Sequence, residues 1–246
     1  MNISVSTSSI FHYTKKLNNL IGIINDSHFK LKYCKEAVTL FSYINELAVP
    51  MVSFCDIPLA SVTEHTNAYG NYGIGMKKEW ALRNGINPVF YIDIASYMAL
   101  SMNNLWTVYQ TFLNSPLRIS DPNTFAEKEF SYINLYRNMK NYKGNLIIKN
   151  GKKVLKDYEY YREREWRYLP NREQLVPYYS HEEYAVNKND INDKAKIVTL
   201  KFKVDDISYI ILEKNSQINA FIKKIKDRTP DFYTKVVTIE QIKKDF

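Results

Sequence analysis

Apolar and polar residues alternate along this chain in short runs, and the spacing switches between the two-residue period of a strand and the 3.6-residue period of a helix. "SSIFHYT" predicts a first strand. In "KKLNNLIGIINDSHF", Leu17, Leu20, Ile21 and Ile24 fall on one face of a helix, so a strand-to-helix turn follows His12. "VPMVSFCDIPL" predicts a short apolar strand closed by Pro58, because proline cannot donate to a ladder. "YGNYGIGMKKEWALRNG" predicts a glycine-rich loop leading into a short helix, and "NPVFYIDI" a further strand that enters a helix near Ala95.

Two helices are expected from "ASYMALSMNNLWTVYQTFLNSP" to "NTFAEKEFSYINLYRNMKN", broken between Pro116 and Pro122. In "GNLIIKNGKKVLKDY" an Asn-Gly pair separates two apolar runs, a strong hairpin signal. The polar connection "NREQLVPYYSHEEYAVNKNDINDK" then leads to the strands "AKIVTLKFKV" and "ISYIILE". Ile218, Phe221, Ile222 and Ile225 share one helical face, and "FYTKVVTIE" supplies a closing strand. Without a regular βαβ alternation, these elements predict an α+β fold: a split, mostly antiparallel sheet with a two-helix insert at about residues 94–141, within a single domain spanning residues 1–246.

Composition narrows the function. With 45% hydrophobic residues the chain can bury a substantial core. The net charge of +8 would favour polyanions, but much of it lies in lysines of a Lys-, Asn-, Ile- and Tyr-rich chain and reads first as a solvated surface. Cys34 and Cys55 form no disulfide framework, and with four scattered histidines no metal site is expected. No apolar run reaches the roughly 18 residues of a membrane span, and the N-terminus lacks the features of a signal peptide, so a cytoplasmic protein is expected.

The phosphate-cradling G-x-x-x-x-G-K-[ST], the dinucleotide G-x-G-x-x-G and the nucleophile elbow G-x-S-x-G are all absent. What stands out is "YREREWRYL". Read as a strand, it places Glu163, Glu165 and Arg167 on one face and Arg162, Arg164, Trp166 and Tyr168 on the other. Carboxylates about 7 Å apart on one face oppose each other's ionisation unless a cation compensates. Arg167 is the candidate. The competing reading is an exposed edge strand with interleaved charges. Asp56 is expected to cap a helix after Pro58, and Trp166 and Trp80 to pack in the core.

Taken together, "FHYT", "LNNLIGIINDSHF", "PMVSFCDIPL", "YGNYGIGMKKEWALRNGINPVFY" and "EREWRYLP" resemble the AbiGi family of bacterial abortive phage-infection proteins, over about residues 9–170 and the closing strands. The opening also resembles, more distantly, DarT-type ADP-ribosyltransferases.

That second resemblance implies an ADP-ribosyltransferase-like fold and an effector that transfers ADP-ribose from NAD to a protein or nucleic-acid acceptor. Glu165 would then stabilise an oxocarbenium-like ribose and Glu163 would orient the acceptor. His12, supported by Thr14, would bond the adenosine ribose; Tyr69 or Tyr72 would stack on nicotinamide; Arg167 or Arg83 would pair with the pyrophosphate. The AbiGi resemblance implies instead a non-catalytic antitoxin paired with a neighbouring nucleotidyltransferase-like toxin. An RNA-binding module using "FIKKIKDR" is a third class, without any recognised RNA-binding motif.

Overall fold

The computed structural model describes residues 7–41, 43–61, 66, 69–148, 153–226 and 230–245. β1 (Ser9–Thr14) runs into the helix Leu17–Asp26, and the chain returns through β2 (His28–Lys30). β3 (Lys32–Leu40) and β4 (Tyr43–Cys55) form a long antiparallel pair, from Lys32 opposite Met51 to Leu40 opposite Tyr43. β5 (Tyr72–Lys77), the helix Lys78–Arg83, β6 (Asn87–Pro88) and β7 (Phe90–Ile92) follow.

Helices Tyr97–Leu113, Leu117–Ser120 and Pro122–Arg137 come next, then β8 (Met139–Asn141). β9 (Lys143–Ile148) pairs with β10 (Lys153–Glu159) as an antiparallel ribbon; the Asn150–Gly151 turn expected between them lies outside the described residues. The chain closes with β11 (Glu165–Tyr168), β12 (Tyr179–Ser180), the helix His181–Ala195, β13 (Thr199–Lys201), β14 (Ile207–Leu212), the helix Ile218–Lys224, β15 (Val236–Thr238) and the helix Ile239–Asp245.

The main sheet has the order β15-β14-β5-β1-β4-β11-β6, with β3 and β12 also paired to β4. Its pairs are antiparallel apart from β14 with β15, and β7 with β8 forms a separate parallel pair. The fold is therefore mixed and mostly antiparallel. Its core lies on one face, where Leu20 and Ile24 of the first helix meet Ile74 and Met76 of β5, Ile210 and Leu212 of β14, and Trp80. A smaller cluster of Phe11, Cys55, Ile57, Ile211 and Ile242 covers the other face.

Three elements depart from the periodicity. The stretch expected as a glycine loop is β5, a central strand between β1 and β14. Gly75 and Gly73 lie against the Phe11 and Tyr13 rings, where an added Cβ would sit 2.7 and 2.9 Å from ring atoms, so the strand needs residues without side chains there. β3 was not signalled, because Lys35 and Glu36 interrupt its apolar alternation. The polar connection before β13 holds the helix His181–Ala195, whose buried residues are Tyr184, Ile191 and Ala195.

Asp56, expected as a helix cap, accepts from Lys78 Nζ at 2.6 Å and from the Thr7 backbone N–H at 3.2 Å. Trp80 packs its short helix on the core and donates to the Lys201 carbonyl at 3.2 Å.

One feature of the sheet positions the candidate site. β1 meets β4 at a single pair, Phe11 opposite Cys55, and β3 takes over the same edge of β4 from Met51 onward. Between these contacts the sheet is open.

Candidate functional site

The charged motif is not one strand. Tyr160–Glu163 forms a 3-10 turn, Arg164 adopts a left-handed conformation with φ 44°, and β11 starts only at Glu165. Glu163 therefore leaves the alternation predicted for it. The turn is fixed by the Arg164 N–H donating to the Tyr161 carbonyl, and by the Arg164 carbonyl accepting from the Asp56 N–H at 3.0 Å.

Tertiary structure reunites the two carboxylates through a residue the motif does not contain. Lys140, on β8, donates to Glu163 Oε2 at 2.6 Å and to Glu165 Oε2 at 2.8 Å. Arg167 donates from Nε to Glu165 Oε1 at 2.9 Å and from Nη2 to Glu165 Oε2 at 3.1 Å. The same Nη2 reaches Glu36 Oε2 on β3 at 2.5 Å, and Nη1 donates to the Arg137 carbonyl at 2.8 Å. The Tyr69 hydroxyl donates to Glu163 Oε1. Three carboxylates and two cations thus close into one network, with the Arg167 side chain fully buried.

Burial alone would raise the Glu165 carboxyl, but the Arg167 guanidinium and the Lys140 ammonium outweigh it and hold it far below the usual carboxylate range. Burial would likewise lower Lys140, yet Glu165 and Glu163 raise it, so it keeps its charge. Burial, followed by the Glu163 charge, pushes the Tyr69 phenol far up. The thiols are held protonated: burial first, then Glu36, takes Cys34 up to about 11, and burial with Glu163 nearby takes Cys55 higher still.

A cavity of about 530 Å³ opens on the sheet face where β1 and β3 part, with His12, Tyr69, Glu163, Glu165, Lys140 and Cys34 among its walls. Four predicted residues, His12, Tyr69, Glu163 and Glu165, therefore meet there. Phe11, Cys55 and Glu165 stand opposite one another across three strands and share a face, so His12 belongs to the other face. It is nevertheless among the residues that line the cavity. Its ring packs edge-on against Phe29 and Phe54, and its Nδ1 bonds the Ser53 carbonyl at 2.9 Å. Desolvation lowers its pKa, partly offset by that bond.

The remaining predicted residues lie elsewhere. Tyr72, opposite Thr14 in the β1–β5 register, belongs to the main core; its hydroxyl donates to Glu213 at 3.1 Å and accepts from Gln217 at 2.9 Å. Thr14 Oγ1 accepts from Asn19 at 3.1 Å. Arg167 is sealed beneath the floor by its own ion pairs, and Arg83 pairs with Asp206 at 2.8 Å on the surface. Thr14, Tyr72, Arg83 and Arg167 are thus not among the residues that line the cavity with His12, Tyr69, Glu163 and Glu165. Lys140 and Glu36 were invisible to sequence reasoning, since neither sits in a motif and only folding brings β3 and β8 beside β11.

This geometry can be set beside known proteins. Residues 27–213 match the family described as "Putative abortive phage resistance protein AbiGi, antitoxin". The chain belongs to the AbiGi family. It is 26% identical over 242 residues to the Abortive phage resistance protein AbiGi of Lactococcus lactis subsp. cremoris, covering 88% of this chain and 94% of that relative. No solved structure matches the chain. The AbiGi resemblance is thus shown, and the likeness to DarT-type enzymes gains nothing from these matches. No helix among the described residues is long and apolar enough to cross a membrane.

Proposed function

We propose that this AbiGi-family chain serves as the antitoxin of an abortive phage-resistance pair, restraining a cognate toxin protein by binding it, without catalysis of its own. The observation that carries the reading is the state of Glu165. A carboxylate that stabilises a developing oxocarbenium ion needs negative charge left over for the substrate. Glu165 spends both oxygens on Arg167 and Lys140. Breaking such a buried pair to admit a ligand costs several kcal/mol, roughly 3–5 when one partner is lost. The family's description as an antitoxin supports the same reading.

One observation favours the transferase alternative: His12, Tyr69, Glu163 and Glu165 all border one cavity of about 530 Å³, a size that suits a small ligand. The two readings separate in one experiment. The intact chain is co-expressed with its toxin and, separately, purified and incubated with labelled NAD. Antitoxin action gives restored growth, a stable toxin complex and no loss of NAD. NAD turnover that disappears in a folded Glu165→Gln variant would overturn the proposal.

A further inference from the structure

The outer edge of β3 is sealed at both ends and open between them. Tyr33 stands opposite Pro50, and its N–H turns away from β4 to donate to Asn192 Oδ1 at 2.9 Å. Alternation then turns the peptide groups of Lys35, Ala37 and Thr39 outward as well. Just ahead of the strand, the Leu31 N–H donates to the Val198 carbonyl. At the far end Asn141 holds both groups of Thr39, accepting from its N–H at 2.8 Å and donating to its carbonyl at 2.7 Å. Lys35 and Ala37 lie between these seals. Both are exposed, and their outward N–H and C=O groups pair with nothing among the described residues.

An open edge is usually left to water, and a lysine on it guards against chance pairing. This gap opens on the cavity instead, for Cys34, Lys35, Glu36 and Ala37 all line it. The Lys35 ammonium lies 3.2 Å from His181 Nε2, and His181 Nδ1 lies 3.1 Å from Glu46, so this lysine is held by residues outside the cavity wall.

Glu36 stands between the open groups. One of its oxygens meets Arg167 Nη2 at 2.5 Å, the nitrogen that also serves Glu165 Oε2, and its side chain stays 22% exposed. Glu36, Glu163 and Glu165 share only Lys140 and Arg167, so the network keeps one formal negative charge in excess.

These groups select their occupant. Donors and acceptors at strand spacing are matched by another strand, whose residues exchange both hydrogen bonds with Lys35 and with Ala37. In antiparallel pairing the residue between them lies opposite Glu36, with Cβ atoms about 4.5–5.5 Å apart, where an opposite charge is favoured. Lysine or arginine suits that place. A second copy does not, because β3 paired with itself across a two-fold axis at this gap sets Glu36 opposite its own counterpart. The same carboxylates oppose the phosphates of a nucleic acid.

We propose, resting on the antitoxin reading above, that the open edge of β3 at Lys35 and Ala37 is the docking point for an extended segment of the toxin, paired antiparallel, with a lysine or arginine opposite Glu36. Residues two apart on a strand span about 7 Å, so this is an anchor within a larger contact.

Ala37→Pro tests the edge. The Ala37 N–H points away from β4, so proline removes no ladder bond, while its ring blocks the incoming strand. The variant should keep the circular dichroism and melting temperature of the parent and bind the purified toxin at least about tenfold more weakly. Glu36→Gln keeps an acceptor for Arg167 and removes the charge. Its toxin complex should be weaker than that of the parent and less sensitive to added salt. In the unaltered free chain the Lys35 and Ala37 amides should exchange rapidly with solvent by NMR, and toxin should protect both.

Toxin held as tightly by either folded variant as by the parent overturns the docking point and leaves the antitoxin reading standing. A parent chain that binds no toxin overturns both. The exchange measurement needs no substitution, so a folding defect in Ala37→Pro does not remove the test: amides that stay unprotected with toxin bound overturn the docking point. So do amides already protected in the free chain, which would place a segment of this chain on the edge.

Discussion

Lys140 Nζ donates to Glu165 Oε2 across 2.8 Å, tying the strand that leaves the helical segment to the strand that carries the charged motif. The same ammonium serves Glu163, so one cation restrains two nearly buried carboxylates. Lys140→Met keeps the stem and removes the charge. It should cost about 3–5 kcal/mol, the usual penalty for orphaning a buried ion pair. Urea denaturation checks this. Arg83→Ala, breaking a pair whose arginine is mostly exposed, should change stability by about 1 kcal/mol or less.

Glu165 should govern acid stability. Its folded pKa lies below its unfolded one, so its contribution is complete above the ordinary Glu value of about 4.3 and is lost as pH falls through the lower folded value. Denaturation midpoints measured stepwise below about pH 4.3 should fall for the parent chain. Glu165→Gln should begin less stable and show a shallower acid slope. Equal slopes would mean that other carboxylates carry the transition.

His12 acts in a different window. Its folded pKa is depressed, so between that value and the ordinary 6.5 the unfolded chain binds more protons and stability rises with pH. The contribution is complete above about pH 6.5 and declines below it, by at most about 1.4 kcal/mol per pH unit. NMR should find the His12 imidazole still largely neutral at pH 6.5. His12→Phe, filling the space between Phe29 and Phe54, should flatten the stability profile there.

Gly75→Ala tests the central strand. The new Cβ would lie 2.7 Å from the Phe11 ring and 3.2 Å from Tyr209 Cβ, and Phe11 is packed in a buried cluster. The expected loss is about 1–3 kcal/mol, as for other overpacked cores. Gly22→Ala makes the control: nothing lies within 4 Å of the added methyl, and alanine favours a helix by about 1 kcal/mol over glycine. A thermal melt of both should move them in opposite directions.

Elements whose signal is local were legible in the sequence. The Leu17–Asp26 helix follows from Leu20, Ile21 and Ile24 on one face, and the long helices around Pro116 and Pro122 from apolar spacing interrupted where proline forbids a helix interior. β14 follows from "ISYIIL", a run apolar enough to be buried on both sides. β3, β5 and the His181–Ala195 helix were not legible. Their charges or glycines are tolerated because neighbours supply the packing: Arg167 for Glu36, Phe11 and Tyr13 for the glycines of β5, Tyr33 for Tyr184.

The motif alone marked Glu163 and Glu165 as unusual and offered Arg167, which does pair with Glu165. Only the tertiary structure decided what that means. Whether a carboxylate is available for chemistry depends on which cations reach it, and Lys140 arrives from 25 residues away along the chain. Charge compensation acts through space over a few ångströms, so a linear pattern records the charges but not their neutralisation.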